Sequence, residues 1–134
     1  MILINTSATF NKSELKELFS SVGWAKNLSE EQLFDAMNNS SHIVTSRADG
    51  KLVGLVRSMD DNIYSANIDC MVVHASFQKK GIAKQMLIVL LETISHIKYI
   101  SVSPNSPNTF SLYLSCGFKI NEDSRLLQLN KDKE

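Results

Sequence analysis

The residues best suited to chemistry lie at positions 78–83, where the sequence reads QKKGIA. A strand-like segment, Met71–Val73, precedes them, and an apolar run with helical spacing follows. A helix that begins directly after a tight loop presents unsatisfied backbone N–H groups, and these groups and the helix dipole attract an anion, above all a phosphate. Gly81 lets the backbone approach a ligand closely, and the pair Lys79 and Lys80 adds positive charge. The segment therefore predicts a phosphate-binding loop.

This loop resembles the acyl-CoA pyrophosphate loop of the GNAT acetyltransferase superfamily, which reads Q/R-x-x-G-x-G/A after a strand ending in hydrophobic-x-Val. In that family, backbone N–H groups of the loop hold the CoA pyrophosphate. No GK[ST] follows Gly81, which argues against a nucleoside triphosphatase. The resemblance implies that the cofactor is bound by Gln78, Lys79, Lys80, Gly81, Ile82 and Ala83.

A second segment, TFSLYLSCGF at positions 109–118, resembles the A-x-x-L/F-Y-x-x-x-G-F segment of the same family. The two motifs are separated by one helix and one strand, as in the family, which makes the resemblance specific. Ser106 stands where the family often has a CoA-contacting asparagine, so it joins the predicted cofactor-binding residues. Lys79 stands where many members have glycine.

The elements that must position these motifs follow the order β-α-α-β-β-β-α-β-α-β-β, which matches the GNAT fold over essentially the whole chain. Asp49-Gly50 predicts a hairpin turn, and Ser29 with Gln32 predicts a capping box. The resemblance implies an α/β fold with a mostly antiparallel mixed sheet and a central, splayed parallel pair. Strands are expected at 1–5, 42–47, 51–59, 63–73, 99–103, 118–121 and 125–130, helices after Ser13, Ser29, Gly81 and Ser106, and a frayed tail at 131–134.

Length and composition predict one soluble domain over residues 1–134, with 43% apolar and 21% charged residues. Lys+Arg and Asp+Glu number 14 each, which argues against a general nucleic-acid or membrane-surface binder. Cys70 and Cys116 are expected to be reduced thiols in a cytoplasmic protein. We expect no signal peptide, no membrane span and no metal site, since His42 and His96 have no paired ligand spacing.

The resemblance implies direct transfer of acetyl from acetyl-CoA to the primary amine of a small molecule. The backbone near Met71 or Val72 would polarise the thioester carbonyl, and Val73 would pair with the pantetheine arm. Tyr113 matches the family tyrosine and is the candidate general acid for the departing thiolate, since a phenol can donate a proton. A covalent route through Cys116 is disfavoured, because the sequence places no histidine or aspartate beside it.

The attacking amine must lose a proton, and Asp69, on the strand before the loop, is the first candidate base. His74 is the second, and a water relay without a dedicated base stays open. Strand alternation predicts Asp69 and Met71 on one face and Cys70 on the other, unless a bulge intervenes.

The acceptor side carries weaker signals. Trp24 could form an aromatic wall for a substrate or a core plug between two helices, and Asp60 and Asp61 could attract a cation or form a solvated turn. Two other functions stay open: a non-catalytic or regulatory CoA-binding module, and an acetyltransferase for protein lysines or N-termini. Family analogy also allows a homodimer.

Overall fold

A computed structural model describes residues 1–131, which form parts of two compact units. The second unit begins at Ser103 and contains one helix, α4 (Pro107–Ser115). The first unit, Met1–Val102, contains β1 (Ile2–Asn5), α1 (Lys12–Ser21), α2 (Glu30–Asn38), β2 (His42–Ala48), β3 (Lys51–Asp60), β4 (Ser65–Val73), a short 3-10 turn (Ala75–Phe77), α3 (Ile82–Thr93) and β5 (Tyr99–Val102). The single-domain assignment of residues 1–134 stays a prediction.

The five strands form one sheet in the order β1-β2-β3-β4-β5. The first three pairings are antiparallel, and β4 and β5 are parallel. The β2–β3 hairpin turns at Asp49 and Gly50, both with positive φ, which is the geometry of a primed two-residue turn. The predicted mixed sheet with one parallel pair, reached by a crossover helix, is therefore confirmed.

Helices cover both faces of this sheet. On one face, α1 and α2 bury Leu15, Leu18, Phe19 and Leu33 in a cluster with Leu55 and Val72 of the strands. On the other face, α3 packs on β2 and β3 and buries Ile82, Met86, Leu87 and Leu90. The packing of both faces holds the strand ends in fixed positions, including the end of β4 that leads into the loop.

The N-terminal cap of α1 differs from the prediction. Asn11, rather than Ser13, is the cap: its side chain accepts the Glu14 N–H at 2.8 Å, and the Glu14 carboxylate accepts the Asn11 N–H at 2.9 Å. The Ser13 hydroxyl donates to the Asn11 side chain instead. Asn11 is the cap because a glutamate, Glu14, follows it by three residues and completes a reciprocal capping box, whereas Ser13 is followed at that distance by Lys16. The Ser29 box of α2 is confirmed.

The predicted final antiparallel pair is not formed: within residues 118–130 the structure contains no strand. Asn121 closes a local turn by accepting the Asp123 N–H at 3.0 Å. The leucines beyond it are largely exposed, so neither face of the segment is buried and nothing fixes a strand register. The predicted tail falls mostly on residues 132–134, which lie outside the described part of the chain.

Candidate active site

Strand β4 is longer than its parallel neighbour. Residues Ser65–Ile68 pair with β5, while Asp69–Val73 continue with β3 alone as a strand partner. The edge of β4 that faces away from β3 therefore carries main-chain groups without a strand partner in the described residues. Met71, Val72 and Val73, the predicted backbone contacts for an acyl-thioester, all lie on this stretch.

A bulge interrupts the same stretch of β4. Leu55 pairs with Val72 and Arg57 with Asp69, so Cys70 and Met71 together oppose one residue of β3. Cys70 has φ +58°, in the left-handed region that a non-glycine residue rarely adopts. The extra residue cancels the simple alternation of side chains. Asp69 and Cys70 therefore both interact with Arg57, although alternation alone predicts that they lie on opposite faces.

Asp69 is held in an ion pair with Arg57. The Nε atom of Arg57 donates to Oδ1 of Asp69 at 2.6 Å, and the Asp69 side chain is 38% exposed against 16% for Arg57. Burial by itself would lower the pKa of Arg57, but hydrogen bonds and charge from Asp69 and Cys70 outweigh it, and the pKa is raised. The structure thus places an oriented and partly accessible carboxylate at the bulge.

Cys70 is the thiol next to this ion pair. It packs partly buried against the core cluster beneath α1 and α2. Burial, with the neighbouring Asp69 carboxylate, raises the pKa of the Cys70 thiol to about 12. Because the thiolate is the nucleophilic form, Cys70 is unsuited to accept an acetyl group near neutral pH.

His74 follows β4 and has a partner on each ring nitrogen. Its Nδ1 accepts the Ser76 N–H at 3.1 Å, which places the proton on Nε2, 2.7 Å from the Glu17 carboxylate of α1. The hydrogen bond with His74 holds the pKa of Glu17 below its usual value. The next residue along the loop is tied to α1 as well, since the Ala75 N–H donates to the Ser21 hydroxyl. His74 therefore anchors the loop, and both of its ring nitrogens are engaged by the fold rather than open to a substrate.

The loop itself reaches α3 through two left-handed residues, Lys79 at φ +64° and Gly81 at φ +80°. The Gln78 side chain spans the turn by donating to the Val73 carbonyl at 3.1 Å. Gly81 is the N-cap of α3 and provides no side-chain hydrogen bond, whereas α1 and α2 both begin with a capping box. The first backbone N–H groups of α3 thus have no side-chain cap, which is the arrangement that an anion can fill.

The second unit holds the other motif. Tyr113 is buried on α4, and its ring lies edge-on to Phe118 with centroids 5.3 Å apart. Ser106 caps α4 by accepting the Thr109 N–H at 3.2 Å, so the helix start is as predicted. Whether Ser106 also contacts a cofactor, and whether Tyr113 donates a proton, stay predictions.

Trp24, the predicted acceptor-side aromatic, is half-buried in the loop between α1 and α2. Its ring lies edge-on to Phe19 at 6.4 Å, and its backbone N–H donates to the Phe19 carbonyl. Trp24 thus packs on the core and keeps part of its side chain accessible. This position is compatible with both roles that the sequence allows for Trp24, an aromatic wall for a substrate and a core plug between two helices.

A polar cluster occupies the opposite end of the sheet, where β2 begins and β3 ends. The shielded carboxylate of Asp60 lies 2.9 Å from His42 Nδ1 and accepts bonds from the Ser58 hydroxyl at 2.7 Å and the Asn62 N–H at 2.8 Å. His96 lies 2.8 Å from the Asn62 side chain. We call these five residues the Asp60 cluster. Its carboxylate is engaged by the fold, so Asp60 is not a free attractor for a cation.

Two other features, a metal-binding cluster and a membrane-spanning helix, are absent from residues 1–131. No group of three or more His, Cys, Asp and Glu side chains is arranged to hold a metal ion in this part of the chain. None of the described helices combines the length and apolarity needed to cross a bilayer.

Comparison with known proteins identifies a family for the chain. The family model for the GNAT acetyltransferase domain matches residues 8–126. An uncharacterized N-acetyltransferase, ycf52 of Pyropia yezoensis, is 30% identical over 122 residues, which cover 87% of this chain and 70% of that protein.

Solved structures show the same fold. A GNAT-family acetyltransferase from Streptococcus pneumoniae TIGR4 has a TM-score of 0.83 at 22% identity, covering 98% of this chain and 99% of that one. An aminoglycoside acetyltransferase from an uncultured soil metagenomic sample, in complex with sisomicin, has a TM-score of 0.67 at 18% identity, covering 96% and 94%. With the family model spanning both sequence motifs, the chain belongs to the GNAT acetyltransferase superfamily and is an acyltransferase.

Proposed function

We propose that the protein transfers an acetyl group from acetyl-CoA to a primary amine of a small molecule. The observation that carries this proposal is the start of α3, where Gly81 leaves the first helical N–H groups without a side-chain cap. Lys79 and Lys80 are exposed at the same place and add positive charge. A pyrophosphate, with its dense negative charge and many acceptor oxygens, fits this arrangement.

The edge of β4 that has no strand partner within residues 1–131 supports the second half of the cofactor assignment. An extended arm that carries amide groups can add to an open strand edge through main-chain hydrogen bonds. We assign this contact to Val73, and we assign polarisation of the thioester carbonyl to a backbone N–H near Met71 or Val72. The bulge supports the second assignment, because it turns main-chain groups out of the regular ladder with β3.

The reaction then needs one base and one acid. Asp69 takes one proton from the ammonium form of the acceptor, the neutral nitrogen forms a bond to the acetyl carbon, and the carbon–sulfur bond breaks. The new amide nitrogen releases its second proton to water. Tyr113 gives a proton to the departing thiolate. Asp69 is supported as the base by its partial exposure and by its fixed orientation against Arg57, whereas both ring nitrogens of His74 are already engaged.

A small cationic amine is the proposed acceptor. The accessible part of the Asp69 carboxylate would attract it before proton transfer, and the exposed part of Trp24 offers an aromatic surface. The structurally similar protein solved with sisomicin is an aminoglycoside acetyltransferase, and that polyamine is an acceptor of the proposed chemical class.

The decisive experiment measures acetyl-CoA binding by calorimetry, with Gly81→Glu compared against Gly50→Glu. Both glycines have positive φ and open space where a side chain would begin, so both substitutions carry a similar backbone strain. Only the carboxylate at Gly81 would repel the pyrophosphate, and we expect it to weaken binding by about 100-fold or more. A native protein that binds no acetyl-CoA would refute the proposal, as would equal affinities for the two variants.

The Tyr113→Phe variant tests whether the protein is an acetyltransferase that uses Tyr113 or a non-catalytic CoA-binding module. We expect the rate of acetyl transfer to fall by about 10²-fold or more, while the Kd for acetyl-CoA stays the same, because only the proton donor is lost. Turnover at the native rate would exclude Tyr113 as the acid. A native protein that binds acetyl-CoA but acetylates none of spermidine, sisomicin or a lysine-containing peptide would favour a CoA-binding module.

A further inference from the structure

Arg57 occupies a position where three elements meet. From β3, its Nε donates to Asp69 of β4 at 2.6 Å, and its Nη1 donates to the Ala36 carbonyl in the last turn of α2 at 3.1 Å. A cation is favourable at a helix C-terminus because it complements the helix dipole. The guanidinium therefore links the end of α2 to the strand that carries the bulge.

The geometry of this link constrains Asp69. Arg57 pairs with Asp69 across the ladder, and the pairing immediately precedes the extra residue, Cys70. The Arg57 side chain is 16% exposed, so it has little freedom to move. A planar guanidinium with a second fixed acceptor defines the direction of its Nε–H bond more closely than a flexible ammonium would.

We infer that Arg57 is a positioning residue for acetyl transfer: it orients the Asp69 carboxylate toward the attacking amine. This inference rests on the proposed function and goes beyond it, since no sequence motif contains Arg57. Arg57 touches neither substrate nor cofactor in this role; it acts through Asp69. A shift of about 1 Å in a catalytic group can cost about 10²-fold in rate, which sets the size of the expected effect.

The test compares Arg57→Gln and Arg57→Lys with Arg47→Gln as a matched control. Arg47 also pairs a strand with a carboxylate, since its guanidinium donates to both oxygens of Glu14 on α1 at 2.9 and 2.7 Å. Acetyl transfer is measured with the best acceptor among spermidine, sisomicin and a lysine-containing peptide. We expect Arg57→Gln to lower kcat by about tenfold to 100-fold with an unchanged Kd for acetyl-CoA. Arg57→Lys should recover part of that kcat, and Arg47→Gln should retain the native kcat even if its melting temperature falls.

A double variant separates positioning from general loosening of the fold. In an Asp69→Asn background, Arg57→Gln should cause no further loss of kcat, because its effect passes through the carboxylate. Independent losses that multiply would overturn the inference, as would a native kcat in Arg57→Gln. If the native protein transfers acetyl to its acceptor and Arg57→Gln does so equally fast, only the positioning role fails. If the native protein transfers acetyl to none of the probes, the proposed function fails and the positioning role fails with it.

Discussion

The two ends of β4 differ in how their polar groups are satisfied. At the end where β4 begins, the Asp60 cluster closes on itself: one carboxylate receives a hydroxyl, an imidazole and a backbone N–H. At the end where β4 finishes, the strand edge lacks a strand partner from Asp69 to Val73 within the described residues, and the start of α3 lacks a side-chain cap. The first arrangement stabilises the fold, whereas the second leaves donors available to a ligand. Main-chain donors left open therefore indicate a binding site better than a high density of polar side chains does.

The two ends should differ most in how the rate of acetyl transfer responds when a carboxylate is replaced by an amide. Asp69→Asn should lower kcat for acetyl transfer by about 10²-fold or more, because an amide cannot accept the proton of the amine. The Kd for acetyl-CoA should not change, as the cofactor contacts are assigned to the backbone and the loop. Steady-state kinetics and calorimetry on one preparation measure both quantities. An Asp69→Asn variant with the native kcat would leave a water relay as the remaining route.

At the end that carries the Asp60 cluster, replacing the carboxylate should lower the free energy of unfolding and leave kcat unchanged. Asp60→Asn keeps the shape but loses charge-assisted hydrogen bonds with Ser58 and His42, at a cost of about 1–3 kcal/mol in the free energy of unfolding. Urea unfolding measures this cost, and kcat should match the native value. A large fall in kcat with native stability would remove the functional distinction between the two ends.

The pH dependence of stability follows from the same cluster. Burial opposes ionisation of Asp60, but hydrogen bonds from Ser58 and His42 outweigh it, so the pKa of Asp60 is lowered in the folded state. A carboxyl whose pKa is lowered on folding stabilises the protein above its unfolded pKa of about 4, and this contribution disappears as the pH falls through the folded pKa. Urea unfolding at pH 7 and at pH 3 should therefore show a smaller loss of stability on acidification in Asp60→Asn than in the native protein. Equal losses of stability in the two proteins would contradict a lowered pKa of Asp60 in the folded state.

The smallest effect is expected at Lys79. Because Lys79 adopts φ +64°, Lys79→Gly should relieve about 1 kcal/mol of backbone strain, while Lys79→Ala keeps the strain. Both variants lose one positive charge and should weaken acetyl-CoA binding by a similar factor of a few. Thermal unfolding separates the two variants, and calorimetry compares their charge effect. Equal melting temperatures would show that the left-handed conformation at Lys79 carries little strain.

Sequence signals predicted the local backbone structure around the candidate site: the loop before α3 and the start of α4. The loop before α3 and the Ser106 cap of α4 depend on residues adjacent in the chain, so their spacing reveals them. The partnership of Arg57 with Asp69 depends on strand pairing over 12 positions, and a one-residue bulge changes which side chains meet. Strand alternation left a bulge between Asp69 and Met71 open without requiring it, so the contact of Arg57 with Asp69 was not predicted. The predicted final strand pair was wrong because the leucines at 126, 127 and 129 indicate an apolar segment but do not determine what it would pair with.

The overhang of β4 beyond β5 has a consequence for hydrogen–deuterium exchange. Within Asp69–Val73, the N–H groups that face away from β3 have no strand partner in residues 1–131. These amides should exchange rapidly while their immediate neighbours, bonded to β3, exchange slowly. Residues Ser65–Ile68, with strands on both sides, should show no such alternation. A ligand that completes the sheet along this edge would slow the rapid set alone, so the amides themselves would report where it lies.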